Sequence, residues 1–178
     1  MVTNQSQNFI GNRCEIYNEQ LFELTTPPLL HQDIIGKLGV ALMLCFPKPN
    51  SITIYSPNLY INEHNLFIPD LAFYNKHSLA NPKVLKNPHY LLFAPHLIIE
   101  VISPSTKRND RVHKVKAYAE FSVKNYWIID PENKTLEALE LRDGVYSIVD
   151  SLEDEEQFRP KNFPELVVEL RTLWSLEA

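Results

Sequence analysis

Apolar residues follow the two-residue period of a β-strand across His96–Pro104, near the middle of the chain. Successive side chains of a strand point to opposite faces, and here both faces are apolar apart from Glu100. The pattern therefore predicts the central strand of a sheet that is covered on both sides. Because an uncompensated carboxylate is costly to bury, Glu100 requires a partner, which could be a metal ion, a lysine or an arginine.

Other segments show helical or strand patterns of their own. Apolar residues recur at helical spacing over Leu30–Cys45, and two prolines soon afterwards end that helix. A second helix is predicted over Asn109–Phe121, with a core face formed by Val112, Val115 and Ala119. Further strands are predicted at Cys14–Tyr17, Leu21–Thr25, Ser51–Tyr55, Leu66–Tyr74, Asn125–Asp130, Thr135–Leu141 and Val145–Val149.

The order of these elements predicts an α/β fold. Between residues 30 and 130 the order is helix, strand, strand, strand, helix, strand, and further strands lie on either side. It predicts a mixed sheet flanked by helices, with strands added at both ends. A chain of 178 residues is long enough for one sizeable core and short for two. We therefore expect a polar N-terminal tail over residues 1–12 and a single domain over residues 13–178.

Composition narrows the class of protein. Hydrophobic residues make up 44% of the chain and charged residues 22%, as in ordinary soluble proteins. The first residues lack the basic and then apolar pattern of a secretory signal, and the longest apolar run, Leu38–Phe46, is about half of what a bilayer requires. Cys14 and Cys45 have no metal-ligand spacing. A cytoplasmic protein without a membrane partner is expected.

The net charge of −5 argues against a protein that coats nucleic acid by bulk electrostatics. One segment, residues 107–116, is nevertheless basic. Its basic residues are Lys107, Arg108, Arg111, His113, Lys114 and Lys116, against the single acid Asp110. Lys107, Arg108 and Arg111 are candidates for phosphate contacts, although a solvated helix face would show the same pattern.

Three charged residues can converge in this layout. Asp70 follows a bend expected at Pro69, Glu100 lies in the central strand, and Lys114 lies on the helix that follows. Two carboxylates on neighbouring strands form a hard oxygen site of the kind that suits Mg²⁺. A metal ion there would lower the pKa of a bound water. A lysine beside it could orient that water or neutralise a phosphorane, which is the chemistry of phosphodiester hydrolysis.

The second helix brings further polar residues to the same place. Asp110, Lys114 and Tyr118 lie at positions i, i+4 and i+8 and therefore share one stripe of that helix. An alternative interpretation of the cluster involves no metal, because Glu100 could instead form a buried salt bridge with Lys114 or Arg111.

Four separated motifs are Ile68-Pro69-Asp70, the run from Ile99 to Thr106, Asp110-Arg111 with Lys114 and Tyr118, and the run from Tyr126 to Pro131. Together they resemble the motifs of the Uma family of endonucleases, over about residues 15–149. That family belongs to the PD-(D/E)XK, restriction-endonuclease-like superfamily, so the resemblance implies that fold. Where the family has a glycine in an early turn, this chain has Asn18-Glu19.

The resemblance also implies roles for single residues. Asp70 matches the aspartate of the first half-motif and Glu100 the acidic residue of the second. Ile102 replaces the usual lysine two residues later, and Lys114 matches the lysine that this family carries on the following helix. Glu15 and His31 match recurrent family positions. Glu15 is either a third acid of the metal site or the partner of a base, and His31 is either a substrate contact or a capping or packing residue.

The sequence therefore predicts an endonuclease that hydrolyses DNA phosphodiester bonds with Mg²⁺ or Mn²⁺. Asp70 and Glu100 would bind the metal and Lys114 would lie beside the attacking water, with Glu15, His31, Asp110 and Tyr118 in support. The alternative is a catalytically silent module that keeps the nuclease fold and binds nucleic acid or protein. Because many enzymes of the superfamily cut two strands as dimers, the resemblance also implies a homodimer.

Overall fold

The computed structural model describes residues 13–104 and 106–176, so the tail predicted at residues 1–12 lies outside the described residues. The strands are β1 (Cys14–Tyr17), β2 (Gln20–Glu23), β3 (Ile52–Tyr55), β4 (Leu59–Asn62), β5 (Asn65–Phe67), β6 (Leu71–Tyr74), β7 (Leu97–Val101), β8 (Asn125–Asp130), β9 (Thr135–Arg142), β10 (Val145–Glu153), β11 (Gln157–Phe158) and β12 (Val168–Glu169). The helices are α1 (Leu29–Cys45), α2 (Lys76–Leu79) and α3, which has wide π-type turns over Asn109–Lys114 and α-helical turns over Val115–Glu120. A short 3₁₀ turn follows β12 at Leu170–Thr172.

Six strands form the central sheet, in the order β10-β9-β8-β7-β6-β3. All neighbours are antiparallel except β7 and β8, which are parallel, so the predicted mixed sheet is confirmed. In chain order its core elements are α1, β3, β6, β7, α3 and β8, which is the predicted order of helix, strand, strand, strand, helix, strand. The strand that carries Glu100, β7, lies between β6 and β8 and is buried along its whole length.

Both faces of β7 are covered, as its apolar pattern predicts. Leu97, Ile99 and Val101 pack in the cluster that includes the buried face of α1. Ile98 and Ile102 pack in a second cluster with α3 and with strands of a smaller sheet. Glu100 shares the second face because strand side chains alternate. The sheet therefore places this one carboxylate between apolar residues and under α3.

The stretch Leu66–Tyr74, predicted as one strand interrupted by a bend at Pro69, is divided between two sheets. Its first part, β5, belongs to a four-stranded sheet of order β2-β1-β5-β4, and its second part, β6, belongs to the central sheet. The division falls at Pro69, which has no N–H to donate to a strand partner. Of the strands after β8, β9 and β10 extend the central sheet, and β11 and β12 pair with each other in a two-stranded sheet. At the other end of the chain, β1 and β2 help to form the four-stranded sheet.

The turn between β1 and β2 forms without the family's glycine. Asn18 and Glu19 both have positive φ, at 48° and 67°, as both central residues of a tight hairpin turn of this kind require. The Asn18 N–H also donates to Asn65 Oδ1 at 3.0 Å. The hairpin is thus joined to the start of β5.

The core face predicted for the second helix is wrong at Val112, which is 43% exposed. The buried residues of α3 include Asp110, Lys114 and Tyr118 instead. The polar stripe faces inward because its charged groups pair with groups of opposite charge beneath the helix, and the apolar periodicity of the sequence does not reveal such pairs.

No helix among the described residues is both long and apolar enough to cross a membrane.

Candidate active site

A small cleft of about 70 Å³ opens beside the end of β7. Its lining includes six of the residues that the sequence predicts for the site, namely Glu15, His31, Asp70, Glu100, Asp110 and Lys114. They come from β1, α1, the segment before β6, β7 and α3, so five separate parts of the chain meet at this point. Tyr118 lies behind Glu100 and contacts it.

The ammonium group of Lys114 lies at the centre of the acidic side chains. Its Nζ is 2.9 Å from Glu15 Oε1, 3.0 Å from Glu100 Oε1 and 3.0 Å from Asp110 Oδ1. The lysine and its three partners are all buried. Burial by itself would lower the pKa of Lys114, but Asp110, Glu100 and Glu15 outweigh it and hold that pKa well above its usual value. Lys114 is therefore protonated at neutral pH.

The two oxygens of Glu100 have different surroundings. Oε1 accepts hydrogen bonds from Lys114 Nζ at 3.0 Å and from the Tyr118 hydroxyl at 2.8 Å. Oε2 faces Asp70, whose backbone N–H donates to it at 3.4 Å. Burial raises the pKa of the Glu100 carboxyl well above its usual range; Lys114 lowers it, while the nearby acids raise it further. The charged form of Glu100 thus gains from each additional cation.

Asp70 is fixed at the mouth of the site by contacts to two other elements. Its Oδ2 accepts a hydrogen bond from the Val101 backbone N–H at 2.8 Å and lies 3.2 Å from His31 Nε2. His31 is the third residue of α1, so the first turn of that helix contacts the site directly. The Asp70 side chain remains 19% exposed, more than Glu100 or Lys114.

Glu15 and Asn109 connect the small sheet to α3. Glu15 is fully buried; its Oε1 accepts from the Ile68 backbone N–H at 2.9 Å and its Oε2 from Asn109 Nδ2 at 2.8 Å. Together with the Lys114 contact, these bonds make Glu15 the partner of a base. Asn109 was not predicted from the sequence, and no pattern in the sequence distinguishes it from other polar helix residues.

The predicted phosphate contacts do not line the cleft. Lys107 Nζ lies 3.1 Å from Asp130 Oδ2, and Arg111 is paired with Glu137. Arg108 is exposed. Burial tends to raise the pKa of Asp130, but hydrogen bonds from Asn133 and Lys107 outweigh it and lower that pKa. The basic segment is therefore partly neutralised by acids of β8 and β9.

One basic residue that the prediction did not include does line the cleft. Arg13, two residues before Glu15, contributes to its wall. The period of a strand indicates it, because residues i and i+2 share a face and the sequence predicts Glu15 for the site.

The donor set of the cleft suits a hard divalent cation. Four carboxylates, those of Glu15, Asp70, Glu100 and Asp110, share one ammonium group, so negative charge is in excess. The described residues contain no group of three or more His, Cys, Asp or Glu side chains arranged around a common metal position. Mg²⁺ does not require one, because it keeps several waters and commonly binds proteins through one or two carboxylates.

Comparison with known proteins identifies the family. A family model described as "Putative restriction endonuclease" (Uma2) matches residues 6–172, nearly the whole chain. The chain belongs to the Uma2 family. Its fold is also similar to the crystal structure of "a putative nuclease belonging to DUF820" from Anabaena variabilis. That comparison has a TM-score of 0.73 and 15% sequence identity, and covers 90% of this chain and 89% of the other. No curated protein matches the sequence.

The nuclease fold expected from the sequence is therefore confirmed. The chain belongs to the family described as "Putative restriction endonuclease" and shares the fold of the nuclease structure that it matches. The cleft beside β7 brings together Asp70, Glu100, Asp110 and Lys114.

Proposed function

We propose that this Uma2 protein is a metal-dependent endonuclease that hydrolyses phosphodiester bonds of DNA. The observation that carries the proposal is the position of Lys114 Nζ, 3.0 Å from Glu100 Oε1, in a cleft that Asp70 also lines. Family membership supports a nucleic-acid substrate. The acids and the lysine required for phosphodiester hydrolysis are thus within reach of one another.

Each residue has a distinct task in this proposal. Asp70 and Glu100 would hold Mg²⁺ or Mn²⁺, which lowers the pKa of a bound water and stabilises charge on the phosphate. Lys114 donates hydrogen bonds and supplies positive charge; it is not a general base, because three carboxylates keep it protonated. Tyr118 donates to Glu100 Oε1 and leaves Oε2 directed towards Asp70.

Four other residues position these groups. Glu15 and Asp110 hold the ammonium group of Lys114 from two further directions. His31 and the Val101 backbone N–H fix one oxygen of Asp70. Under the proposal, their substitution would alter activity by displacing Lys114 or Asp70.

A second candidate function is a silent nuclease-fold module that binds nucleic acid or protein. The favouring observation is that Lys114 already has three carboxylate partners and that Tyr118 contacts Glu100, so the network has internal ion pairs without a metal. The melting temperature of a protein with such a closed network would not change when divalent cations are added. Binding of a metal ion at the site would instead raise the melting temperature as the ion concentration rises.

The test is nicking of supercoiled plasmid with Mg²⁺, with Mn²⁺ and with EDTA. We expect nicking by the wild type with either metal, none with EDTA, and none by the Asp70→Ala or Glu100→Gln variants. Glu140→Gln is the matched control, because Glu140 is paired with Arg142 on the far hairpin. Absence of nicking with both metals would favour the silent module, and nicking that survives in Glu100→Gln would indicate a contaminating nuclease.

Two further features belong to this proposal. We propose that the protein acts in the cytoplasm as a homodimer, because two active sites are required to cut both strands. Light scattering of the purified protein tests the dimer.

We also propose that residues 13–178 form one domain. A single cooperative transition in urea, observed alike by fluorescence and circular dichroism, is the expected result.

A further inference from the structure

The cleft is acidic, yet its proposed substrate is a polyanion. The charge of Lys114 lies at the base of the cleft and is shared among three carboxylates. Lys107 and Arg111 are paired with acids elsewhere. Binding of a nucleic-acid backbone therefore requires a cation that is near the mouth and not already neutralised.

Arg13 satisfies both conditions. It is exposed, it lines the cleft, and its side chain makes no ion pair with any residue in the described part of the chain. The other permanently charged basic residue among those described in the lining is Lys114. Arg13 thus offers a free guanidinium group to a ligand that enters the cleft.

The backbone at Arg13 is held by the β1–β2 hairpin. The Leu24 N–H donates to the Arg13 carbonyl oxygen at 2.8 Å, which extends the Cys14–Glu23 pairing by one residue. Arg13 and Glu15 lie on one face of this hairpin because strand side chains alternate. Two residues of a strand span about 6.6 Å. The Arg13 side chain therefore leaves the backbone about that far from the buried Glu15, on the solvent side.

We propose that Arg13 binds a phosphate of the nucleic-acid backbone next to the phosphodiester that is cut. This inference rests on the proposed nuclease function of the same cleft. The adjacent phosphate is the expected partner because Arg13 lies at the mouth, whereas Glu100 and Lys114 are buried at the base. A guanidinium group matches phosphate through two parallel hydrogen bonds, which a lysine cannot reproduce.

Such a contact predicts a specific kinetic signature. A phosphate that does not react is held equally in the bound state and in the transition state, so its loss raises KM and leaves kcat unchanged. One phosphate contact also contributes about 0.9 to the slope of log affinity against log salt concentration. Both effects differ from those of a residue that only maintains the fold.

The test compares Arg13→Ala and Arg13→Lys with the wild type. Arg142→Ala is the matched control, since it also removes one exposed arginine, from the β9–β10 hairpin. Binding to a short fluorescent DNA duplex is measured by anisotropy in EDTA across a range of salt concentrations. We expect Arg13→Ala to bind about tenfold more weakly with a salt slope shallower by about 0.9, and Arg13→Lys to be intermediate. Arg142→Ala should behave as the wild type.

Cleavage kinetics with Mg²⁺ give the second measurement, with KM raised and kcat retained in Arg13→Ala. Equal affinity and salt slope in Arg13→Ala and Arg142→Ala, with normal binding by the wild type, would overturn the role of Arg13 alone. A fall in kcat without a change in KM would also overturn it. If the wild type neither binds nor cleaves DNA, the inference and the proposed function fail together.

Discussion

Replacement of Lys114 by methionine should be among the most destabilising single changes in this protein. Methionine keeps much of the volume but removes the charge from three carboxylates that lie about 3 Å away and are buried. At an effective dielectric constant of about 20, each contact has a gross attraction of about 5 kcal/mol. Desolvation and repulsion among the acids cancel most of this attraction.

The net cost follows from measured losses at buried ion pairs. Removal of one partner of such a pair costs about 3–5 kcal/mol, because the other charge stays buried without compensation. Since Lys114 compensates Glu15, Glu100 and Asp110 together, we expect a loss of about 5 kcal/mol. A domain of ordinary stability, about 5–15 kcal/mol, would be left marginal or unfolded.

Urea denaturation of Lys114→Met measures the loss, with Lys116→Met as the control. Lys116 lies two residues away on the same helix and is exposed, so its substitution should change the free energy of unfolding by less than about 0.5 kcal/mol. Equal effects of the two substitutions would refute the reasoning. They would mean that the acids around Lys114 are uncharged in the folded protein.

The pH dependence of the stability lost in Lys114→Met gives an independent check. The pKa of Glu100 is already raised by burial, and it should rise further when Lys114 is absent. A carboxyl with a folded-state pKa above its unfolded value gains stability as the pH falls, so Lys114→Met should approach the wild type on acidification from neutral pH to about pH 5. A deficit that grows on acidification would contradict this explanation.

Three further predictions concern other parts of the structure. At a Mg²⁺ concentration of about 100 times the dissociation constant, the wild type should gain about 2.7 kcal/mol in calorimetry and Glu100→Gln should gain nothing. Gly36→Ala should stabilise α1 by up to about 1 kcal/mol in urea titrations, whereas Gly39→Ala should not, because its Cβ would overlap the Tyr55 ring. Folding lowers the pKa of Asp130, so this carboxylate stabilises the folded state above its usual pKa of 3.8. That stabilisation is lost as the pH falls through the folded-state pKa. Stability measured below about pH 4 should therefore fall less steeply in Asp130→Asn than in the wild type.

The sequence predicts the buried elements of this fold well. The strand that carries Glu100 and the following strand, Asn125–Asp130, are recognisable because both of their faces are apolar. Helix α1 has a long periodic pattern with prolines after it. In these elements the hydrophobic pattern of the sequence matches the burial that the fold imposes, so the sequence pattern alone is enough to identify each element.

The parts that were missed depend on contacts between distant segments. Strand β4, Leu59–Asn62, was not predicted, and it belongs to the second sheet through its pairing with β5. The division at Pro69 likewise depends on a partner about 50 residues away, since the Ile68 N–H donates to Glu15. No local pattern encodes these pairings.

The same limit applies to the site. Asp70, Glu100 and Lys114 could be brought together from strand and helix order, because each lies at a defined place in a regular element. The ion pairs of Lys107 with Asp130 and of Arg111 with Glu137 depend instead on how β8 and β9 lie under α3. The basic segment therefore resembled a phosphate-binding surface more closely in the sequence than it does in the folded protein.

The structure gives a physical reason for the position of the lysine. The residue two places after Glu100, Ile102, is 4% exposed and packs in the core that α3 covers, so that position is used for apolar packing. Lys114 reaches Glu100 from α3 instead, from the end of a segment of π-type turns, which are often found at functional sites. Held there by Glu15 and Asp110 as well, the ammonium group contacts three acids in place of one. Under the proposed mechanism, the network that makes Lys114 indispensable to the fold is the same one that fixes its charge beside the reacting phosphate.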